Sequence, residues 1–279
     1  MTVNLVYVTT HGVAHATDSL IVDLNMKPVH AESGKAKIFA IPRFQGAISW
    51  HGTAAFPGGW RAMKWIESEV ASYKGNSPDE LAGIMAENLT QVFWANTGVV
   101  LSERGMGLHF TFYEKVDNLN IPELIWITNF NSITALGQYK PDQGPRFVAQ
   151  RQTFHTFTKQ SDFEHHARDS YRKVVANYLS LLGPLVYQNG DILLTSLSAG
   201  MVEQALLNLL VRKELRSNDP LENFGRRALY RAEIAALTQR VFSSPEKVGV
   251  GTPCFNLIIP PEGPMFTDTR EIPGLPEVH

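Results

Sequence analysis

The first residues of the chain combine a hydroxyl and a backbone amine that together could cleave an amide bond. Thr2 becomes the amino-terminal residue when Met1 is removed, and its small side chain permits that removal. A threonine hydroxyl is a weak nucleophile and needs a base within hydrogen-bond reach. The α-amine of the same residue is such a base, since its ordinary pKa of about 7.7–8.0 suits proton transfer near neutrality. Thr2 is therefore a candidate nucleophile with its own general base.

Further residues at fitting spacing could support this chemistry. A nearby ammonium group would lower the pKa of the α-amine, and Lys37 or Lys35 could supply it. Asp18 could keep such a lysine charged and oriented. The backbone N–H groups of His51 and Gly52 could stabilise a tetrahedral oxyanion, because glycine lets a backbone approach a substrate closely. Taken alone, Asp18 would be read as a turn cap and Lys37 as a solvated charge.

The amino-terminal half must position these residues with strands and then helices. Alternating apolar residues predict a hairpin of residues 3–10 and 12–18, turning at Gly12. Two further strands are predicted at 37–41 and 45–49. From Gly58 the apolar period becomes helical. Ser77, followed by proline and then Glu80, predicts a second helix that ends near Trp94.

The remaining elements favour an α+β fold. The predicted strands are 107–115, 122–130, 191–195 and 254–259, the predicted helices are 161–182, 201–215 and 225–242, and a Pro/Gly-rich surface strap begins at Pro260. Strands and helices in separate blocks argue against a parallel α/β sheet. Two stacked sheets with a helix pair on each outer side would use every element. The prediction is a four-layer αββα sandwich forming one domain over residues 1–279.

Three motifs of the amino-terminal quarter resemble the proteasome-like N-terminal-nucleophile hydrolases, the family of proteasome β subunits and their bacterial relatives. They are the hairpin HGVAHATDS, the strand AKIFAI and the segment GAISWHGTA, and VGVGTPCFNLII is similar to the family's final strand. The resemblance covers residues 2–75 and, more loosely, 225–260. It implies the four-layer sandwich and assembly into a homo-oligomer, in relatives a ring.

The resemblance also assigns roles to individual residues. It implies that Thr2 is the nucleophile, that Lys37 tunes its amine and that Asp18 orients Lys37. The oxyanion pair maps to His51 and Gly52, and an auxiliary serine maps to Ser198 or its neighbour Ser196. Two departures stand out: His51 replaces a glycine, and the family's auxiliary aspartate and serine are missing from residues 247–251.

Two functions follow from these residues. The first is an amide-bond hydrolase, such as a peptidase, that acts on a peptide or small amide without a metal or organic cofactor. The second is a non-catalytic assembly or binding subunit that keeps the fold, which His51 and the missing auxiliary residues favour. A serine-elbow hydrolase centred on Ser198 is disfavoured, because only His279 lies downstream as a base.

The composition of the chain indicates which binding partners and which cellular compartment to expect. A formal net charge of -2 gives no electrostatic reason to expect nucleic acid or an anionic membrane as partner. The single cysteine, Cys254, excludes an internal disulfide and is read as a core residue. No signal peptide or membrane-spanning run is recognisable, so a cytoplasmic location is expected. The pair His165-His166 is read as a solvated helix face, since no second ligand set accompanies it.

Overall fold

The chain forms two antiparallel sheets with helices packed on them. The computed structural model describes residues 3–9, 11–21, 36–56, 58–96, 105–116, 119–129, 146–151, 185–190, 220–242, 251 and 253–270. The strands are β1 (Val3–Thr9), β2 (Gly12–Thr17), β3 (Ile38–Ile41), β4 (Gly46–Gly52), β5 (Met106–Val116), β6 (Leu119–Thr128), β7 (Val148–Arg151), β8 (Leu185–Gly190), β9 (Cys254–Ile259) and β10 (Phe266–Arg270). The α-helices of this part are α1 (Ala62–Ser72), α2 (Pro78–Ala95) and α3 (Pro220–Phe242).

The first sheet has the strand order β10-β9-β2-β1-β8. Its centre is the predicted amino-terminal hairpin, in which Asn4 lies opposite Thr17 and Thr9 opposite Gly12. Thr9 Oγ1 accepts the N–H groups of His11 and Gly12, both at 3.1 Å, and so closes the turn. Gly12 has a φ of +148°, and a Cβ there would lie 2.7 Å from the carbonyl oxygen of Ile259. Glycine is therefore required at this turn.

The second sheet has the order β3-β4-β5-β6-β7 and packs against α1 and α2. The side chain of Ser77 caps α2 by accepting the N–H of Glu80 at 3.2 Å, as the sequence predicted. Period-two alternation sends Ile48, Trp50, Leu108 and Phe110 to one face, where they meet Ile66 and the apolar stripe of α2. This hydrophobic cluster fixes the second sheet beneath its helices.

Two more hydrophobic clusters pack against the two faces of the first sheet. Val3, Leu5 and Tyr7 on β1 pack with Leu229 and other residues of α3. The opposite face of the same sheet joins residues of the second sheet in a separate cluster, whose buried members are Val6, Val8, Val13, Ile38, Ala47, Leu124, Leu257 and Ile259. The two sheets therefore face each other directly.

At their other ends the sheets are tied by polar side chains. Tyr113 donates its hydroxyl to the carbonyl oxygen of Ile259 at 2.8 Å, and Asn120 Nδ2 donates to that of Pro261 at 2.8 Å. Gln45 Nε2 donates to the carbonyl oxygens of Pro260 and Gly263, at 3.1 and 2.8 Å. We call this the 259–263 clasp, because three side chains of the second sheet hold one loop of the first.

The mixed content of helices and antiparallel sheets confirms the α+β class. The surface strap predicted from Pro260 is wrong in part, because Phe266–Arg270 pairs with β9 as an edge strand. The last helix begins at Pro220 rather than 225, the first helix begins at Ala62 rather than Gly58, and β4 extends to Gly52. The predicted strand 191–195 and helices 161–182 and 201–215 lie outside the described residues. None of the described helices has the length and apolar character needed to cross a membrane.

Candidate functional site

The described candidate residues Asp18, Lys37, His51 and Gly52 lie where several strands begin or end at the same edge of the two sheets. β1 begins at Val3, β2 ends at Thr17 just before Asp18, and β9 begins at Cys254. In the second sheet Lys37 precedes β3, and its backbone pairs with the last residues of β4, where Trp50 N donates to Lys37 O at 3.2 Å. Antiparallel pairing thus gathers residues from both ends of the chain.

Asp18 is the centre of this site. Its carboxylate is fully buried. Oδ1 accepts the Val3 N–H at 2.9 Å and the Lys37 ammonium at 3.0 Å. Oδ2 accepts the N–H groups of Leu20 at 3.1 Å and Gly251 at 3.3 Å. Four donors from four separate chain segments therefore hold one carboxylate in a fixed orientation.

Lys37 is buried together with its carboxylate partner. Only 2% of its side chain is exposed, and its Nζ lies 5.9 Å from the centre of the Trp50 ring. Burial lowers the pKa of Lys37, whereas the charge and hydrogen bond of Asp18 and the nearby Cys254 raise it. Removing two charges from water is costly, so a buried pair of this kind is weak support for stability alone.

The pair lies beside the amino terminus of β1. Val3 N and Lys37 Nζ donate to the same oxygen, so two hydrogen-bond lengths at most separate them. The Val3 nitrogen is covalently bonded to the carbonyl carbon of residue 2. Thr2 itself lies outside the described residues, as do Lys35, Ser196 and Ser198. The described geometry thus brings together Asp18, Lys37 and the residue that follows Thr2.

His51 lies near the end of β4 in the second sheet, and its side chain is buried. Its imidazole lies against Gly107, where a Cβ would be 2.3 Å from His51 Nε2, and its ring centre is 5.9 Å from that of His109. Burial, followed by the charges of His109 and Lys37, holds the pKa of His51 well below its usual value. The imidazole is therefore neutral near pH 7, and its neighbour Gly107 makes room for it.

Gly52 has a backbone conformation that only glycine adopts readily. Its φ is +94°, and a Cβ there would lie 2.2 Å from the carbonyl oxygen of Gly105. Gly52 is therefore needed by the backbone, whatever its chemistry. The oxyanion role of the His51 and Gly52 N–H groups stays a prediction.

A polar layer between the sheets escaped the sequence analysis. His15 on β2 lies with Nδ1 2.8 Å from Ser49 Oγ and Nε2 2.7 Å from Thr111 Oγ1, so one side chain joins both sheets. Burial lowers the pKa of His15 to about 3, with a further contribution from His109, and burial also lowers the pKa of His109 to about 3. Polar residues alternating with apolar ones in β2, β4 and β5 were the available signal.

The sequence analysis also did not identify Asn4 and Ser19 as site residues, and it predicted no contact for Thr17. All three side chains are fully buried at this edge of the first sheet. Among the described residues, both amide atoms of Asn4 and the hydroxyls of Thr17 and Ser19 make no hydrogen bond. Cys254 is a buried cysteine, as predicted for a core residue, and its Sγ lies 3.8 Å from the carbonyl oxygen of Gly251.

An open cavity of about 530 Å³ lies elsewhere, at the far end of β5. Its lining includes Arg43, Gln45, Asp79, Glu114 and Arg151, and none of the predicted site residues. Arg151 is held there by the carboxylates of Asp79 and Glu114. The described residues contain no group of three or more His, Cys, Asp or Glu side chains arranged to hold a metal ion.

Comparison with solved structures finds similar chains. One is the Anbu (Gly-1) mutant from Hyphomicrobium sp. strain MC1, with 9% identity and a TM-score of 0.47, covering 96% of this chain and 87% of that one. Another is Anbu, an ancestral beta-subunit, from Yersinia bercovieri, with 12% identity and a TM-score of 0.46, covering 96% and 88%. No family model and no curated protein matches this chain. Function is therefore argued from the site itself.

Proposed function

We propose that this chain is a proteasome-like N-terminal-nucleophile hydrolase that cleaves amide bonds through Thr2 after removal of Met1. The observation that carries the proposal is the buried Asp18–Lys37 pair, whose shared oxygen also holds the Val3 N–H. This contact links the pair to the residue bonded to Thr2. An ammonium group held at that position is what an α-amine base requires for a lowered pKa.

The proposed reaction begins with attack of the Thr2 hydroxyl oxygen on the carbonyl carbon of the substrate amide. The new C–O bond forms as the α-amine accepts the hydroxyl proton, and the N–H groups of His51 and Gly52 hold the oxyanion. The α-ammonium then gives its proton to the leaving nitrogen as the C–N bond breaks. Water hydrolyses the resulting ester and restores Thr2. Ser198 is the proposed auxiliary hydroxyl.

The layer order supports the family assignment. One hydrophobic cluster joins α1 and α2 to the second sheet, another joins the two sheets, and a third joins the first sheet to α3. We propose on this basis a four-layer αββα sandwich and a single domain over residues 1–279. The proposed substrate is a peptide or small amide, and the proposed assembly is a homo-oligomer in the cytoplasm.

Intact mass and covalent labelling test the proposal together. Purified protein should lack Met1, and a peptide vinyl sulfone, which traps amino-terminal threonines, should add one adduct at Thr2. The Thr2→Ala variant should lose the adduct, while the control Thr267→Ala, which alters an exposed residue of β10, should keep it. If Met1 is retained, or if the Thr2→Ala variant is labelled as well as the wild type, the proposed hydrolase activity through Thr2 is refuted.

The same experiment addresses the non-catalytic alternative, which the buried imidazole of His51 favours because it replaces a glycine in the family pattern. A folded, oligomeric protein that keeps Met1 and takes up no label would be an assembly or binding subunit. In that case His51→Gly would not create labelling either.

A further inference from the structure

Three buried polar side chains lie at the edge of the first sheet where β1 begins and β2 ends. In the β1–β2 ladder Asn4 lies opposite Thr17, and the Asp18 N–H donates to the carbonyl oxygen of Val3 at 3.3 Å. Ser19 is the next residue along this edge, beyond the contact of Asp18 with Val3. Successive side chains alternate between the faces of a strand, so Asn4 and Val6 share one face of β1. That is the face directed at the second sheet, since Val6 lies on it.

The burial of these three side chains without hydrogen-bond partners among the described residues lowers the stability of the folded state. Asn4, Thr17 and Ser19 are fully buried, and within the described part of the chain their four polar atoms make no hydrogen bond. Each atom has given up its bonds to water without a replacement, which is unfavourable. Leucine at position 4, valine at 17 and alanine at 19 would avoid that loss with no additional side-chain heavy atoms. Three such groups at one edge of a sheet call for a common explanation.

We propose that Asn4, Thr17 and Ser19 are positioning residues for the amino-terminal threonine of the mature chain. The Asn4 amide offers one acceptor and two donors, and each hydroxyl offers both functions. The Thr2 hydroxyl and α-amine need an acceptor and a donor to fix the direction of attack. The three side chains orient these groups after Met1 is removed, while Asp18 and Lys37 set the charge. This inference rests on the proposed function.

The test compares isosteric variants in stability and in reactivity. Asn4→Leu and Thr17→Val should raise the midpoint of urea unfolding. In labelling by the peptide vinyl sulfone, each should lower the maximal rate at least tenfold and change the half-saturating concentration less than threefold. Thr17→Ser keeps the hydroxyl and should label within threefold of wild type. The pH at which the labelling rate is half-maximal should move in Asn4→Leu, because the base has lost a neighbour.

Each other outcome has a defined meaning. Unchanged labelling in both isosteric variants would overturn the positioning role and leave the Thr2 enzyme intact. Loss of labelling together with a lowered unfolding midpoint, without rescue by Thr17→Ser, would reduce these residues to a structural role. Wild-type protein that takes up no label at Thr2 would overturn the proposed function, and this inference with it.

Discussion

Acidification should destabilise the protein through the polar layer between its sheets. His15 and His109 are neutral in the folded chain because burial lowers their pKa to about 3, whereas each has a pKa near 6.5 when unfolded. Between these values the unfolded chain binds more protons, so stability falls as the pH falls. At pH 5.0 each histidine costs about 2 kcal/mol relative to pH 7.5, or about 4 kcal/mol together. This is a large share of a typical total of about 5–15 kcal/mol.

Urea unfolding at a series of pH values measures this loss. His15→Gln and His109→Gln should each remove about 2 kcal/mol from the difference between pH 7.5 and 5.0. Glutamine at position 15 retains a donor and an acceptor for Ser49 and Thr111. His11→Gln is the matched control, since it replaces an exposed histidine outside the layer. If both buried-site variants keep the full wild-type difference, these rings are not held neutral, and the account of the layer is wrong.

Three further predictions concern the pair, a turn and the clasp. Lys37→Met should lower the free energy of unfolding, measured in urea, by about 3–5 kcal/mol, because it leaves the Asp18 carboxylate buried without its cation. Adding Asp18→Asn to this variant should recover part of the loss. A Lys37→Met variant as stable as the wild type would contradict the buried ion pair. Gly52→Ala should lower the melting temperature, at a cost of about 1–3 kcal/mol, while Gly58→Ala, where a Cβ meets nothing within 4 Å, should have little effect. Tyr113→Phe should cost about 0.5–1.5 kcal/mol in unfolding experiments by removing its bond to Ile259, and a neutral result would show that this bond of the clasp adds nothing to stability.

Local patterns predicted the elements that position the site. Gly12 and period-two alternation indicated the hairpin, and Ser77 with Pro78 indicated the start of α2, because these signals depend on neighbouring residues. The association of Asp18 with Lys37 was also expected, and their side chains are in contact at 3.0 Å. What the pair does is still a proposal.

Other features depend on contacts that no local pattern encodes. His15 meets Ser49 and Thr111 only when the sheets stack, across 34 and 96 positions of sequence. The tail after Pro260 is rich in residues typical of loops, yet the open edge of β9 supplies hydrogen-bond partners that make Phe266–Arg270 a strand. Unpartnered groups such as Asn4 cannot be recognised before the neighbouring strands are known.

The bond from Gly251 to Asp18 has a consequence for the order of synthesis. It joins positions 233 residues apart, so a nascent chain that has not yet reached Gly251 has an incomplete set of donors to the carboxylate. The other three donors belong to Val3, Leu20 and Lys37, which are synthesised early, whereas the fourth is added late in synthesis. A growing or truncated chain that lacks Gly251 therefore holds the carboxylate of Asp18 with one hydrogen bond fewer than the folded protein.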